Sequence, residues 1–435
     1  LTTMPVAAPA GSLSSAWFCA GATAAGDGPA SGTIVIANAA ATPVTGTVTV
    51  VPASGAPRAV PITVAARGRA AVRQPDVVDA AHVAALVEMN GGEVVVEQVV
   101  SGPLGDDVAP CAVRGSPTWH LAAGSTARDD TLLAYLYNPF AEAAIADLQF
   151  STDQGHAAPA DLQGVVVKER SLVVVNVGDH VRRRDAVSTT VQTRSGRLVV
   201  ARLQLRSGTT RGLTLALGAP SAGTVWYFPE GVVVDGVRER FHLYNPSGRE
   251  ASVDVELALE EGAAEPFELA LPAGGRLTLA LDEETRVPPG VAHATTVTVL
   301  NDVGVVVERS IEAAAPSGRS GLADTLGARR GAERWLLAAG GTSEALDQWV
   351  VVQNIGGSEV TYSLTGLAGG QALAIEGAQQ LTVAAGGRRS FRLGDHIKRA
   401  DLPVLVTASG LVVAERDLYR VGGRGLSAVI GTPLR

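Results

Sequence analysis

The sequence predicts an all-β protein built from four tandem immunoglobulin-like β-sandwiches. Three observations carry that prediction. A set of landmarks recurs four times along the 435 residues at a nearly constant spacing, apolar residues alternate with period two, and turn-forming clusters separate the alternating runs.

The landmarks come in order within each copy. Trp17, Trp119, Trp226 and Trp335 open similar phrases: Trp-Phe-Cys-Ala-Gly, Trp-His-Leu-Ala-Ala-Gly, Trp-Tyr-Phe-Pro-Glu-Gly and Trp-Leu-Leu-Ala-Ala-Gly. Their numbers set a repeat of roughly 105 residues. An apolar run ends in Asn38, Asn138, Asn245 or Asn354, about 20 residues after each Trp. A third landmark follows about 80 residues after the Trp, in runs containing Glu97-Gln98, Ala201-Arg202, Glu308-Arg309 and Glu415-Arg416. Three copies then close on Gly-Leu and a further Gly, as in Gly321-Leu322 to Gly327.

The runs between landmarks read as strands. Two and four places before each Asn stand Ile36 and Ile34, Leu136 and Ala134, Leu243 and Phe241, Val352 and Val350, all apolar. The intervening positions are mixed, including Tyr137, His242, Arg240 and Gln353. One face of such a strand meets a core. The runs from Gly46 to Val50, Ala144 to Phe150, Ser252 to Leu257 and Val360 to Leu364 repeat the alternation. A late hairpin recurs, as at Ser195-Gly196 ahead of Leu198. Seven or so short strands in about 100 residues suit an immunoglobulin-like sandwich. A β-propeller is the alternative, but its blades repeat at roughly half this period, and no landmark recurs there.

The expected divisions are a leader at 1–14 and sandwiches at 15–112, 113–220, 221–329 and 330–435. Junctions of roughly 8 residues, such as Gly218 to Trp226, restrict the angles between neighbours. On that ground the expected shape is a semi-rigid rod with a loose leader.

Composition removes several functional classes. Hydrophobic residues at 46% and charged residues at 18% do not suit a disordered chain. A net charge of −8 argues against a nucleic-acid binder held by phosphate contacts. No apolar run reaches the roughly 18 residues of a membrane helix, so no transmembrane segment is expected in this chain.

The two cysteines, Cys19 and Cys111, fall at the two ends of the first copy. A disulfide between them would close a loop of about 90 residues and stabilise the fold by roughly 4 kcal/mol. It would also imply an oxidising compartment and export. No zinc-binding spacing connects the seven histidines, and neither metal nor cofactor is expected. Gly178-Asp179-His180 and Gly394-Asp395-His396 read as turn or helix-cap segments, since Asp76 and Asp282 occupy similar places without the His. Glu97, Glu308 and Glu415 occur singly in three different copies, with Ala201 in their place in copy two, whereas glycoside hydrolysis needs two facing carboxylates. They read as structural ion pairs or contacts between copies. With no nucleophile elbow or phosphate-binding loop, no catalytic residues and no enzymatic activity are expected. The four opening Trp and four strand-end Asn are expected to be structural. Trp349 alone stands outside that scheme, on the outward parity of its strand. It is the one candidate ligand-binding residue, as a stacking platform for a sugar.

The opening phrases, above all Trp226-Tyr-Phe-Pro-Glu-Gly followed by Leu243-Tyr-Asn-Pro, resemble a repeat of secreted bacterial proteins that commonly reads Trp-Tyr-Phe-Ala-Glu-Gly and then Leu-Asn-Pro. Over about residues 15 to 435 the chain resembles the uncharacterised "large secreted protein" family of high-GC Gram-positive bacteria. Only copy three keeps the Glu of the phrase, as Glu230; Ala123 and Ala339 replace it in copies two and four. The resemblance implies export and association with the cell envelope, and it supplies no activity. The expected function is a non-enzymatic spacer, adhesin or scaffold whose partner is an envelope protein or glycan. The alternatives are an array of carbohydrate-binding modules and an accessory subunit of an envelope enzyme.

Overall fold

The structure is a computed structural model that describes residues 4–435. It is almost entirely antiparallel β, arranged as several separate sheets, none closed into a barrel or propeller. Copy three shows the plan. Its eight strands are Val225–Phe228, Val237–Tyr244, Ala251–Leu259, Phe267–Leu271, Arg276–Ala280, His293–Val299, Val306–Ala313 and Gly321–Leu326. The first, sixth, third and fourth form one sheet in that order; the fifth, second, seventh and eighth form the other. The order is the same in copy one. The strand count is therefore eight, one more than the spacing of the turns suggests, because the short fifth strand runs into a helical turn with no loop to announce it.

Between the sheets lie the alternating apolar residues. The opening Trp rings are inside these cores: Trp17, Trp226 and Trp335 are fully buried and Trp119 nearly so. Three of the four place the indole N–H on a backbone carbonyl, from Trp119 to Leu198, Trp226 to Val305 and Trp335 to Val412. Each Asn is also completely buried and acts as a clamp. Asn354 Nδ2 donates to the carbonyls of Ser358, Val383 and Ala384, while its Oδ1 accepts from Gly356 N. Asn245 and Asn138 make the same set of contacts in their copies. Only an amide offers donors and an acceptor on one short side chain, which accounts for the residue type at all four places.

Copies two and four vary the plan. The fourth strand is split, into Gly155–Ala157 and Gln163–Val167 in copy two and into Gln371–Ala374 and Leu381–Val383 in copy four. In copy four the sixth and seventh strands are one continuous strand, Val404–Arg420, which pairs first in one sheet and then in the other.

The expected rod is not what forms. Copy four packs back onto copy one, and the four sandwiches close into a ring. Arg416 donates to Glu97 at 2.8 Å, Arg334 pairs with Glu93 at 2.9 Å, and Arg69 donates to the carbonyl of Gly340 at 3.0 Å. Short linkers restrict angles, but a constant turn at each junction closes a circle after four copies as readily as it extends a rod. The leader is also not loose along its described part. Met4, Val6 and Ala7 are buried, Ala7 N donates to Pro433 O, and Glu93 N donates to Ala8 O. Both ends of the described chain thus meet where the ring closes.

Candidate functional site

The places where chemistry concentrates are the four seams between copies. In each copy the seventh strand has one face on its own core and the other on a neighbour, so its alternation is lost: every residue of Val306–Ala313 is buried. Glu and Arg on this strand do not pair with each other. Arg202 of copy two pairs with Glu308 of copy three, Arg309 of copy three with Glu415 of copy four, and Arg416 of copy four with Glu97 of copy one. All six side chains are at most 2% exposed. Each Arg also donates to a carbonyl in its own opening phrase, that of Ala123, Glu230 or Ala339. Each Glu takes a backbone N–H from the same phrase, at Ala122, Glu230 and Ala339. The branched guanidinium suits this double duty. Burial pushes the carboxyls of Glu308 and Glu415 up, against the pull of their Arg partners. A buried pair of this kind makes breaking one partner costly even where the net gain of the pair is small.

Around the ring axis the closing strands Gly105–Pro110, Arg211–Leu217, Gly321–Leu326 and Leu426–Ile430 stand as sheet edges facing each other. Side chains bridge them in a cycle. Asp107 accepts from Thr214 Oγ1 and Leu215 N, Thr214 Oγ1 accepts from Asp324 N, Thr325 donates to Ala428 O, and Ser427 Oγ accepts from Val108 N. These contacts partly satisfy edges that would otherwise invite further strands. Burial lifts the Asp107 carboxyl to about 7.

One seam is different in kind. Between copies one and two the Arg and Glu positions hold Gln98 and Ala201, and the Arg position of the fifth strand holds Leu172. All three changes fall on the same seam. Copies one and two accordingly share one continuous apolar core, to which copy four adds Leu336, Ala338, Leu367 and Leu434, whereas most of the apolar residues of copies three and four pack in clusters of their own. Tyr135 is fully buried in that shared core, with its hydroxyl 2.9 Å from His82 Nδ1 of copy one.

Trp349, the candidate platform, is half-buried and packs against an apolar cluster formed by copies three and four, including Val237, Ile311 and Tyr419. Its indole N–H is bonded to Asp347, and Arg392 approaches the ring at 5.9 Å. Its parity does point away from its own core, but the face it occupies belongs to the seam. Cys19 and Cys111 form a disulfide across the ends of copy one. His180 contacts Asp161 at 2.8 Å, and His396 stacks on Phe391. Among the described residues no group of three or more His, Cys, Asp or Glu is placed to hold a metal ion, and no helix is long and apolar enough to cross a membrane.

The seam between copies four and one contains a hollow open to solvent, about 180 Å³ in volume, lined by Arg69, Ser101, Asp106 and the apolar side chains of Val99, Leu346 and Leu418. Nothing in the local sequence of either wall announces it, since the two walls come from opposite ends of the chain. The usable signal is a comparison of equivalent positions in the four copies, where Ser101 stands against Leu205, Glu312 and Tyr419.

A family model described as "Family of unknown function (DUF5719)" matches residues 94–315, just over half of the chain. The chain belongs to this family. The matched DUF5719 region begins in the seventh strand of copy one and ends just past the seventh strand of copy three. No curated protein matches the sequence. Among solved structures, the chain is similar to Thermotoga maritima 1070, with 19% identity over 25% of this chain and 94% of that one and a TM-score of 0.23. It is similar to the Anabaena sensory rhodopsin transducer at 19% identity, over 20% of this chain and 94% of that one, TM-score 0.18. A tetra-tandem repeat from the extending region of a large adhesion protein matches 91% of this chain and 92% of its own length, with 14% identity and a TM-score of 0.10.

Proposed function

We propose that this DUF5719 protein is a non-enzymatic, exported component of the cell envelope that serves as a compact scaffold. The observation that carries this reading is the use made of the recurring charged residues. Arg202, Arg309, Arg416 and their Glu partners are buried in the seams, given over to holding copies together. A spacer would gain length from four copies, whereas a closed ring gains rigidity and a broad surface, so the scaffold role is preferred to the spacer. The Cys19–Cys111 disulfide suits an oxidising compartment, and the resemblance to large secreted proteins of high-GC Gram-positive bacteria points the same way. The partner is an envelope protein or glycan.

The test has two parts. Cells producing the protein are fractionated and treated with an alkylating agent under denaturing conditions before any reduction. Export predicts recovery outside the cytoplasm with both cysteines protected. A cytoplasmic protein with both thiols alkylated would overturn the proposal. Sedimentation with isolated cell-wall material, with and without its polysaccharide, then separates a glycan partner from a protein one.

A further inference from the structure

We infer that the seam between copies four and one is a binding site for a small apolar carboxylate. This seam differs from its equivalent between copies three and four in what surrounds the arginine of the fifth strand. There, Arg388 of the fifth strand is fully engaged: it donates to Pro229 O and pairs with the carboxylates of Glu230 and Glu260. The ring of Tyr419 is buried in the same seam, under the Arg319 guanidinium at 3.6 Å.

Arg69 is the residue of copy one that corresponds to Arg388, and Ser101 corresponds to Tyr419. In copy four the place of Glu230 is taken by Ala339. Both substitutions remove matter from the same seam. The aromatic ring becomes a hydroxymethyl group and the carboxylate becomes a methyl, while the guanidinium stays. What results is the hollow at this seam, with Arg69, Ala339 and Ser101 all on its wall.

The charges facing the hollow identify the ligand. Arg69 makes one hydrogen bond, to Gly340 O, and has no carboxylate within ion-pairing distance among the described residues. Asp401, Glu97 and Arg416 act on it only through space. The other charged groups are occupied. Asp106 is held by Arg420, and the Asp107 oxygens accept from Thr214, Leu215 N and Val108 N. Among the described residues, Arg69 is therefore the one cation on this wall still open to an anion. Val99, Val108, Leu346 and Leu418 supply an apolar floor. A ligand with a carboxylate at one end and a flat apolar body would restore at this seam the two groups that Glu230 and Tyr419 supply at the other. A partly buried guanidinium with an apolar wall is a favourable receptor for such a molecule.

The probe is 3-phenylpropionate, with 3-phenylpropanamide as its uncharged counterpart, followed by saturation-transfer NMR on the full chain. Binding of the carboxylate at about 1 mM is the order expected for a ligand of about ten non-hydrogen atoms. The amide should show no transfer, and Arg69→Gln should weaken carboxylate binding at least tenfold. Ser101→Tyr, which imports the side chain of the filled seam, should abolish binding while the melting temperature holds or rises. Ser101→Leu, which imports the copy-two residue, serves as a second filling variant should the tyrosine disturb folding. Absence of transfer to the carboxylate, equal transfer to the amide, or binding that survives a folded filling variant would each overturn the proposal.

Discussion

Arg416 and Glu97 stand 319 positions apart in the chain, yet Arg416 Nη1 donates to Glu97 Oε2 at 2.8 Å and neither side chain touches solvent. This bond joins the last copy to the first and turns a string of sandwiches into a ring. The same Arg nitrogen also holds Ala339 O, so the pair fixes an opening phrase as well as a seam.

Removing one member of this pair leaves a buried charge without its partner. Arg416→Met should therefore cost on the order of 3 to 5 kcal/mol. The double variant Arg416→Gln with Glu97→Ala imports the combination present as Gln98 and Ala201, and it should recover much of that loss. Denaturant titration of the wild type and the two variants decides the point, and a double variant no more stable than Arg416→Met would contradict it.

The clamp residues should be among the most sensitive polar positions. Asn354→Ala strips four hydrogen bonds from a buried site and leaves the carbonyls of Val383 and Ala384 short of a donor. An expected loss of about 3 kcal/mol follows from the cost of unsatisfied buried groups. Asn354→Asp should fare no better, since a carboxylate cannot donate. Thermal melts of the two variants give the comparison.

Acid should loosen the seam between copies two and three. His120 is buried there against Thr190 and Tyr244, and burial pushes its imidazole down to about 4. His242 of copy three is depressed too, by burial and by Arg276, Arg206, Arg202 and Arg240. A histidine kept neutral in the folded state contributes full stability above its unfolded value near 6.5 and loses it as pH falls toward 4. For His120 the loss amounts to about 3 kcal/mol. His120→Gln should show a smaller fall in melting temperature between pH 7 and 4.5 than the wild type does.

Asp107 works in the opposite sense. Its carboxyl, raised by burial to about 7, stays protonated in the folded chain at pH values where the unfolded chain has already lost the proton. Its burial therefore becomes more unfavourable as pH rises from about 4 to 7 and levels off above that. Asp107→Asn should compare better with the wild type at pH 8 than at pH 4.5. A difference independent of pH would argue against the shift.

What was legible in the sequence was whatever is written locally. Period-two alternation before Asn38, Asn138, Asn245 and Asn354 follows from strand geometry alone, and a spacing kept from Trp17 to Trp335 marks copies without any knowledge of their contacts. The ring was not legible in the same way, because Glu97 meets its partner at the far end of the chain. A trace of it was nevertheless present. Gln98, Ala201 and Leu172 depart from the repeat together, and that makes sense only if the three positions share one seam. Trp349 shows the limit of parity: the side of a strand away from its own core is not always solvent, because a neighbour can cover it. The hollow beside Arg69 was invisible for a related reason, since Ser101 and Ala339 look ordinary until set against Tyr419 and Glu230.

Four copies in a single polypeptide have a consequence for how the seams can change. In a ring of four identical subunits, every substitution appears at all four seams at once, so no seam can acquire a property of its own. Here each seam is encoded separately. One has become apolar, one carries neutral histidines, one is crowded with paired acids and an aromatic ring, and one has been hollowed out. Fusion turns a symmetric object into four independently adjustable ones, and a residue that would be ruinous in fourfold copy is tolerable when it occurs once.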